Sequence, residues 1–404
     1  MKHFERNALI LLAVAAASYA PAQQAAPAPA AAPAPAAAPA AAEVSPADKP
    51  DRSYSADYAD RKANLFLVDK TNKNESSMTL KSAEGKNFVF SDATGGEMTV
   101  AKDSKVYAFR VKADNKVLSA ARDAANDGNW DSAVNYMRPI VYPLAPLAVL
   151  SDESFPDGNA MIEFFLSGLL NCGRLKEAAA YVAMIPVQDA SESIKSSALS
   201  VARALAENKD TESAEKIVDR IKLNSASAEI LAQVMDVLDQ MRNAGDYKRC
   251  VLLYAKLAAV DGNPMKNQAA LWGVFCDMAM GNQLSAQGRL SSIKMDRAVP
   301  EFSLLQMLKG MFKESGKTPD HKAALELYSE GVVFGSLTDS WMPELLYRTA
   351  MAYKNIKNFV ASNEIFAQLQ TLYPENPFTN LGKKEIVEIK KEEPKDDSDE
   401  DDEE

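Results

Sequence analysis

Very few residues in this chain could serve as a nucleophile, a general base or a soft metal ligand. Among 404 residues there are two histidines, His3 and His321, and three cysteines, Cys172, Cys250 and Cys276. His321 lies in Lys317-Thr318-Pro319-Asp320-His321-Lys322, a charged turn with no nucleophile motif beside it. Any Ser–His–Asp or Cys–His chemistry would therefore rest on that single imidazole. No cysteine forms a CxxC pair, and the Cys and His residues lack the number and spacing of a structural zinc site. All three cysteines fall in apolar helical stretches, where a free thiol behaves as a small hydrophobe; a Cys250–Cys276 bridge between neighbouring hairpins is the alternative. Carboxylates are plentiful, but their spacing singles out no acid–base pair. Ser151-Asp152-Glu153 reads as a helix start, because Ser and Asp favour the N-cap. The expectation is a non-enzymatic protein with no catalytic residue, no metal ligands and no cofactor.

Charge narrows the class of partner. The formal net charge is −11, and no cluster of Lys and Arg stands out. Phosphate neutralisation needs such clusters, so nucleic acid is not an expected partner. Residues 383–404 hold twelve acids against five lysines, a net of −7. The run from Asp396 to Glu404 repels itself too strongly to compact, so residues 381–404 are expected to be an acidic disordered tail. No Asp-x-Asp-x-Asp-Gly spacing supports a calcium loop within it. A solvated tail is the favoured reading, with a basic partner as the alternative.

At the other end, Lys2 and Arg6 flank an uncharged apolar run, Ala8 to Ala17, followed by Ala20-Pro21-Ala22. This is the order of a secretory signal peptide over residues 1–22, and the run is too short to span a bilayer. No cysteine follows it, which leaves no lipid attachment point. The mature chain is thus expected to be periplasmic or otherwise extracytoplasmic, without a transmembrane span. Residues 23–60 are dominated by Ala and Pro. Proline at that density prevents continuous helix and alanine offers little surface to bury, so an extended disordered linker is expected.

Between Asn64 and Ala113 the hydrophobic period becomes that of strands. Leu65–Val68, Met78–Leu80, Phe88–Phe90, Met98–Val100 and Val106–Val111 are short β-branched or aromatic runs. Turn-forming stretches such as Asp69-Lys70-Thr71-Asn72 and Ala93-Thr94-Gly95-Gly96 separate them. A small antiparallel β module, a meander or small barrel over residues 61–114, is expected. Its exposed edge needs a cover, for which the first helices are available.

From Lys116 the period is helical, and a longer repeat lies above it. A small residue is followed five positions later by Ala, with a large residue between. The pattern runs Gly128-Asn129-Trp130-Asp131-Ser132-Ala133, then Gly173 to Ala178, Lys209 to Ala214, Gly245-Asp246-Tyr247-Lys248-Arg249-Cys250, Gly281 to Ala286, Pro319 to Ala324 and Lys357-Asn358-Phe359-Val360-Ala361-Ser362. The anchors 133, 178, 214, 250, 286, 324 and 362 are separated by 45, 36, 36, 36, 38 and 38 residues, about one helix–turn–helix unit each. Gly would end the first helix in a left-handed conformation. The large residue would close the hairpin interior, and Ala or Cys would sit where the two helices approach most closely. Pro139, Pro143, Pro146 and Pro156 in the longest gap predict a kinked or extended loop.

The last unit, with Leu346 through Tyr353, then Phe359, Phe366 and Tyr373-Pro374, resembles a tetratricopeptide repeat of the bacterial envelope type, and so does the Gly128/Trp130/Ala133 unit. Lysine replaces Gly at 209 and 357, and Cys250 and Ser362 replace the alanine. The resemblance implies an α+β chain whose residues 115–380 form a TPR-like α-solenoid of about seven hairpins, curving into a groove that binds other proteins. An exported scaffold or adaptor is the function it implies. Two alternatives are an envelope-assembly factor for outer-membrane or pilus proteins and a carbohydrate-binding or hydrolase-associated protein acting through the β module.

Overall fold

A computed structural model describes residues 51–388 apart from Gly316. The expected signal peptide, the Ala/Pro-rich stretch up to residue 50 and the tail from residue 389 lie outside the described residues. The observed class is the expected one, α+β: a small antiparallel β module followed by a helical-hairpin solenoid.

Five strands make the module: β1 (Asn64–Asp69), β2 (Glu75–Ser82), β3 (Asn87–Ser91), β4 (Glu97–Ala101) and β5 (Tyr107–Val111). Alternate side chains of a strand point to opposite faces. Leu65, Leu67, Leu80, Phe88, Phe90, Val100 and Phe109 thus collect on one face and are all buried. Leu67 faces Phe109 across β1 and β5, and Phe88 faces Val100 across β3 and β4. The Phe88, Phe90 and Phe109 rings pack with centroids 5.7, 6.0 and 6.3 Å apart, the spacing that tilted aromatic pairs favour. The strand order is β4-β3-β2-β1-β5. The chain therefore departs from both a plain meander and a closed barrel: β5 crosses to pair with β1, leaving β4 and β5 at the two edges. The β5 edge is covered, because the Phe109 N–H donates to the Ser154 carbonyl at 2.8 Å.

The helices form seven hairpins among the described residues. They are α1 (Asn115–Asn126) with α2 (Trp130–Val141), α3 (Pro156–Asn171) with α4 (Leu175–Met184), α5 (Glu192–Glu207) with α6 (Thr211–Val218), and α7 (Ala228–Asn243) with α8 (Tyr247–Ala258). Then come α9 (Lys266–Ala279) with α10 (Gln283–Ser292), α11 (Phe302–Glu314) with α12 (His321–Phe334), and α13 (Met342–Asn355) with α14 (Phe359–Leu372), followed by α15 (Pro377–Glu385). The chain divides into two compact units that part at Ala269/Ala270. In the first, α3 packs on α2 and α5, and α5 on α7. In the second, α12 packs on α11 and α13, while α15 covers α13 and α14. Most of the proline-rich gap is helical and only residues 150–155 make a short irregular turn: Tyr142–Val149 forms a 3-10 helix, and Pro156 opens α3 at a position where a missing N–H costs nothing.

One backbone device recurs at the hairpin bends. Gly128, Gly173, Lys209, Gly245, Gly281 and Lys357 all have φ between +65° and +89°. At each, the next residue's N–H reaches back to the carbonyl five positions earlier: Asn129 to Ala124, Arg174 to Leu169, Asp210 to Leu205, Asp246 to Met241, Asn282 to Asp277 and Asn358 to Tyr353, at 2.8–3.2 Å. The left-handed residue's own N–H bonds the carbonyl three back. This is the Schellman closure, which satisfies two carbonyls that the ending helix would leave orphaned. The chain then turns directly into the second helix. Asn129, Asp210, Asp246 and Asn358 each cap it by accepting from a backbone N–H three residues on, as Asp320 does in the sixth hairpin.

Lys209 and Lys357 hold the same conformation as the glycines, so the irregularity at these copies is one of residue type and not of backbone. A side chain in this region costs about 1–2 kcal/mol, against about 0.5–1 kcal/mol of extra entropy lost by glycine. Lys209→Gly and Lys357→Gly should each stabilise the fold by about 0.5 kcal/mol, read as a higher urea midpoint in circular dichroism. A lower midpoint would show that the lysine side chains hold the bends by other means.

Candidate interaction surface

The small residue after each bend lies at the bottom of its hairpin. Ala133, Ala178, Ala214, Cys250, Ala286 and Ala324 are all 0% exposed, and Ser362 is 1% exposed. One turn further along the second helix Met137, Val182, Val218, Tyr254, Leu290, Tyr328 and Phe366 are buried as well. The large residues at the start of the second helices sit less deep. Trp130, Leu175 and Tyr247 are half-buried, and Phe359 is 37% exposed. Trp130 packs its ring 5.7 Å from Phe164, over Gly168, where a Cβ would come within 2.9 Å of Val134. Tyr353 is buried in α13. Pro374 follows Tyr373, whose hydroxyl donates to the Leu337 carbonyl.

The residues with chemical potential are not drawn together. The Nδ1 atom of His321 is 3.0 Å from a carboxylate oxygen of Glu314, whose other oxygen accepts from the Tyr328 hydroxyl at 2.8 Å. This ties α11 to α12 and presents no nucleophile. None of the three cysteines is in a disulfide; Cys250 and Cys276 are buried and Cys172 is half-buried. Burial raises the Cys172 thiol's pKa above its ordinary value, the opposite of what activates a nucleophile. Among the described residues no group of three or more His, Cys, Asp or Glu side chains is placed to hold a metal ion. Nor is any helix among them long and apolar enough to cross a membrane.

Where the sheet meets the first helices there is a groove of about 750 Å³. Phe66 of β1 and Arg110 of β5, direct partners in the register, form one wall on the face opposite the sheet's own core. Leu118 and Arg122 of α1 and Met161 and Phe164 of α3 form the others. Arg110 lies 5.2 Å above the Phe66 ring and pairs with Glu75. Arg122 is exposed and has no ion-pair partner among the described residues. The site therefore offers aromatic and thioether surface beside an exposed guanidinium. Asp157 is the one carboxylate lining it, whereas glycoside hydrolysis ordinarily uses two.

A second feature is an ion pair placed deep between the first two hairpins. Glu177 accepts from the Nε and Nη2 atoms of Arg138 at 2.6 and 2.8 Å, and from the Tyr142 hydroxyl at 3.3 Å. The two side chains are 4% and 0% exposed. Burial, then the nearby Glu177 charge, push the Tyr142 phenol well above its usual pKa. Tyr142, Phe165 and Tyr181 close the site with edge-on rings. Sequence reasoning passed over this pair, but a signal exists. The residue before the small anchor is Ser132, Ser213, Arg249, Ser285, Ala323 or Ala361 in the other copies, and a carboxylate stands there only at Glu177.

No protein-family model and no curated protein matches the chain. Among solved structures, the chain is similar to a tetratricopeptide repeat protein from Parabacteroides merdae. The identity is 14%, the match covers 58% of this chain and 97% of that one, and the TM-score is 0.28.

Removing one partner of a buried ion pair strands the other's charge and typically costs about 3–5 kcal/mol, whereas replacing both with apolar groups costs far less. Glu177→Leu alone should destabilise by that amount. Arg138→Met combined with Glu177→Leu should recover most of the loss in equilibrium denaturation. Additive losses in the two-residue variant would mean the charges are hydrated.

Proposed function

We propose that the chain is an exported, non-enzymatic scaffold or adaptor that binds other proteins through its TPR-like hairpins and the groove they share with the β module. The observation that carries this reading is the groove itself. Phe66, Phe164, Met161 and Leu118 offer apolar and aromatic surface, and the exposed Arg122 stands beside them with no ion-pair partner among the described residues. Half-buried aromatic and Met surface lining a groove next to Arg is the composition that protein interfaces favour. It suits a segment with an apolar side chain and a neighbouring carboxylate. The repeated bends support the reading, because helical hairpins stacked on neighbours leave one row of helices free to meet partners. The apolar run at Ala8–Ala17, followed by Ala20-Pro21-Ala22, supports export into an extracytoplasmic compartment. There the Ala/Pro-rich stretch would give the folded part reach and the acidic tail would stay solvated.

The test compares affinity purifications by the full-length chain and by a Phe66→Ala/Arg122→Glu variant, each followed by mass spectrometry. The account expects at least one protein enriched by the unaltered chain and reduced about tenfold by a variant with the same melting temperature. Enrichment indifferent to these two residues would remove the groove from the account. Recovery of outer-membrane or pilus proteins would specify an assembly factor, and retention on glycans in place of protein would favour a carbohydrate-binding module.

A further inference from the structure

Residues 51–58 lie across the first two hairpins in the manner of a bound peptide. Three anchors hold them. The Asp51 carboxylate accepts from the backbone N–H groups of Lys176 and Glu177, at 2.8 and 3.2 Å, at the start of α4. The Tyr54 ring packs against two guanidinium groups, with Arg138 at 4.0 Å and Arg52 at 4.3 Å from the ring centroid. The Tyr58 ring stacks on Tyr142, with centroids 4.9 Å apart and planes inclined by 24°.

Five of the seven second helices start on a side-chain cap of their own, whereas α4 and α10 do not, Asn282 making no such cap. Asn129, Asp210, Asp246, Asp320 and Asn358 cap their own helices. At α4 the residue in that place is Arg174, which makes no cap and turns instead to Asp131 at 2.9 Å. The free N–H groups at the start of α4 are satisfied by a carboxylate from 125 residues away in sequence. Beneath the segment Arg138, Glu177 and Tyr142 are each under 5% exposed and are joined to one another by hydrogen bonds. The segment itself has no buried residue from 51 to 62. Its intervening side chains bond one another, Arg52 to Asp57 at 3.1 Å and Ser53 to Ser55 at 3.1 Å. Pre-shaping of this kind lowers the ordering cost of docking.

We propose that α2, Tyr142 and the start of α4 form a peptide-binding site, occupied in this structure by the chain's own residues 51–58. The site exchanges that resident segment for a partner's segment of the same chemistry: a carboxylate, a tyrosine three residues on and a second tyrosine four beyond, the last in a 3-10 turn as in Ala56–Tyr58. The proposal rests on the reading of the hairpins as a protein-binding array, and it adds a site distinct from the Phe66 groove together with its regulation. The resident segment would keep the site closed until it is displaced. Its release would uncover the Arg138–Glu177 pair without breaking any strand, since β1 begins only at Asn64.

The test uses a fluorescein-labelled synthetic peptide of residues 49–61 and fluorescence anisotropy. The receptors are the full chain and a Tyr54→Ala/Tyr58→Ala variant whose own segment is weakened. The proposal expects the variant to bind the peptide at least tenfold more tightly than the unaltered chain does. A peptide carrying Asp51→Asn and Tyr54→Ala should lose that binding. Should the two-residue variant lose its native circular dichroism, Asp51→Asn in the full chain serves as receptor, with a gain of several-fold expected. Equal or absent binding by a folded variant and the unaltered chain would overturn the proposal and leave the segment a fixed cover. Because the probe is the chain's own segment, the result does not depend on whether any partner uses the Phe66 groove.

Discussion

The helical part of this molecule depends on one constraint: six of its seven hairpins reverse within three residues, and every hairpin brings its helices together at a small side chain. At those six bends a left-handed residue ends the first helix, the following residue starts the second, and four positions later an alanine, cysteine or serine lies at the point of contact. The closure satisfies backbone carbonyls that would otherwise be orphaned in a crowded bend, and the small residue lets the backbones approach. Larger side chains further along the second helix, such as Tyr254, Tyr328 and Phe366, then fill the interior behind that contact. Substituting a large residue for Ala178 or Ala214 would force the pair apart, because a core at close-packed density has no room to absorb it.

The regular device explains where irregular chemistry can appear. Most second helices cap themselves with Asn or Asp, and most anchors are preceded by Ser or Ala. At the second hairpin Arg174 and Glu177 break both habits. One leaves a helix start open and the other places a charge in the interior. Arg138 and Tyr142 answer the charge, and Asp51 answers the open helix start. This polar interior of the first unit is thus covered by a segment that itself has no buried residue. The Phe66 groove differs in origin, arising because the sheet uses one face for its own core and turns Phe66 and Arg110 of the other toward α1 and α3.

Much of this was legible in the sequence. The strand runs, the helical period and the spacing of the anchors mark the class and the hairpins, because they depend on residues near one another in the chain. Lys209 and Lys357 obscured two bends, since residue type is only an indirect sign of backbone conformation. The crossing of β5 to β1 was not legible, for it pairs Phe66 with Arg110 across 44 residues. Residues 51–60 read as part of the linker, yet they are placed against α2 and α4. Their partners lie about 80 and 125 residues away, beyond any local pattern. The Arg138–Glu177 pair is of the same kind, although the acid among the Ser and Ala copies marks it in retrospect.

Native-state hydrogen exchange on the full chain bears most directly on the central constraint. The amides of Asn129, Arg174, Asp210, Asp246, Asn282 and Asn358 each close a bend by bonding five residues back. They should be protected to the level of the neighbouring helix interiors, with the copies after Lys209 and Lys357 behaving like those after glycine. Exchange at the rate of open loops at these amides would mean the bends are not closed, and the account of how the hairpins are built would fail.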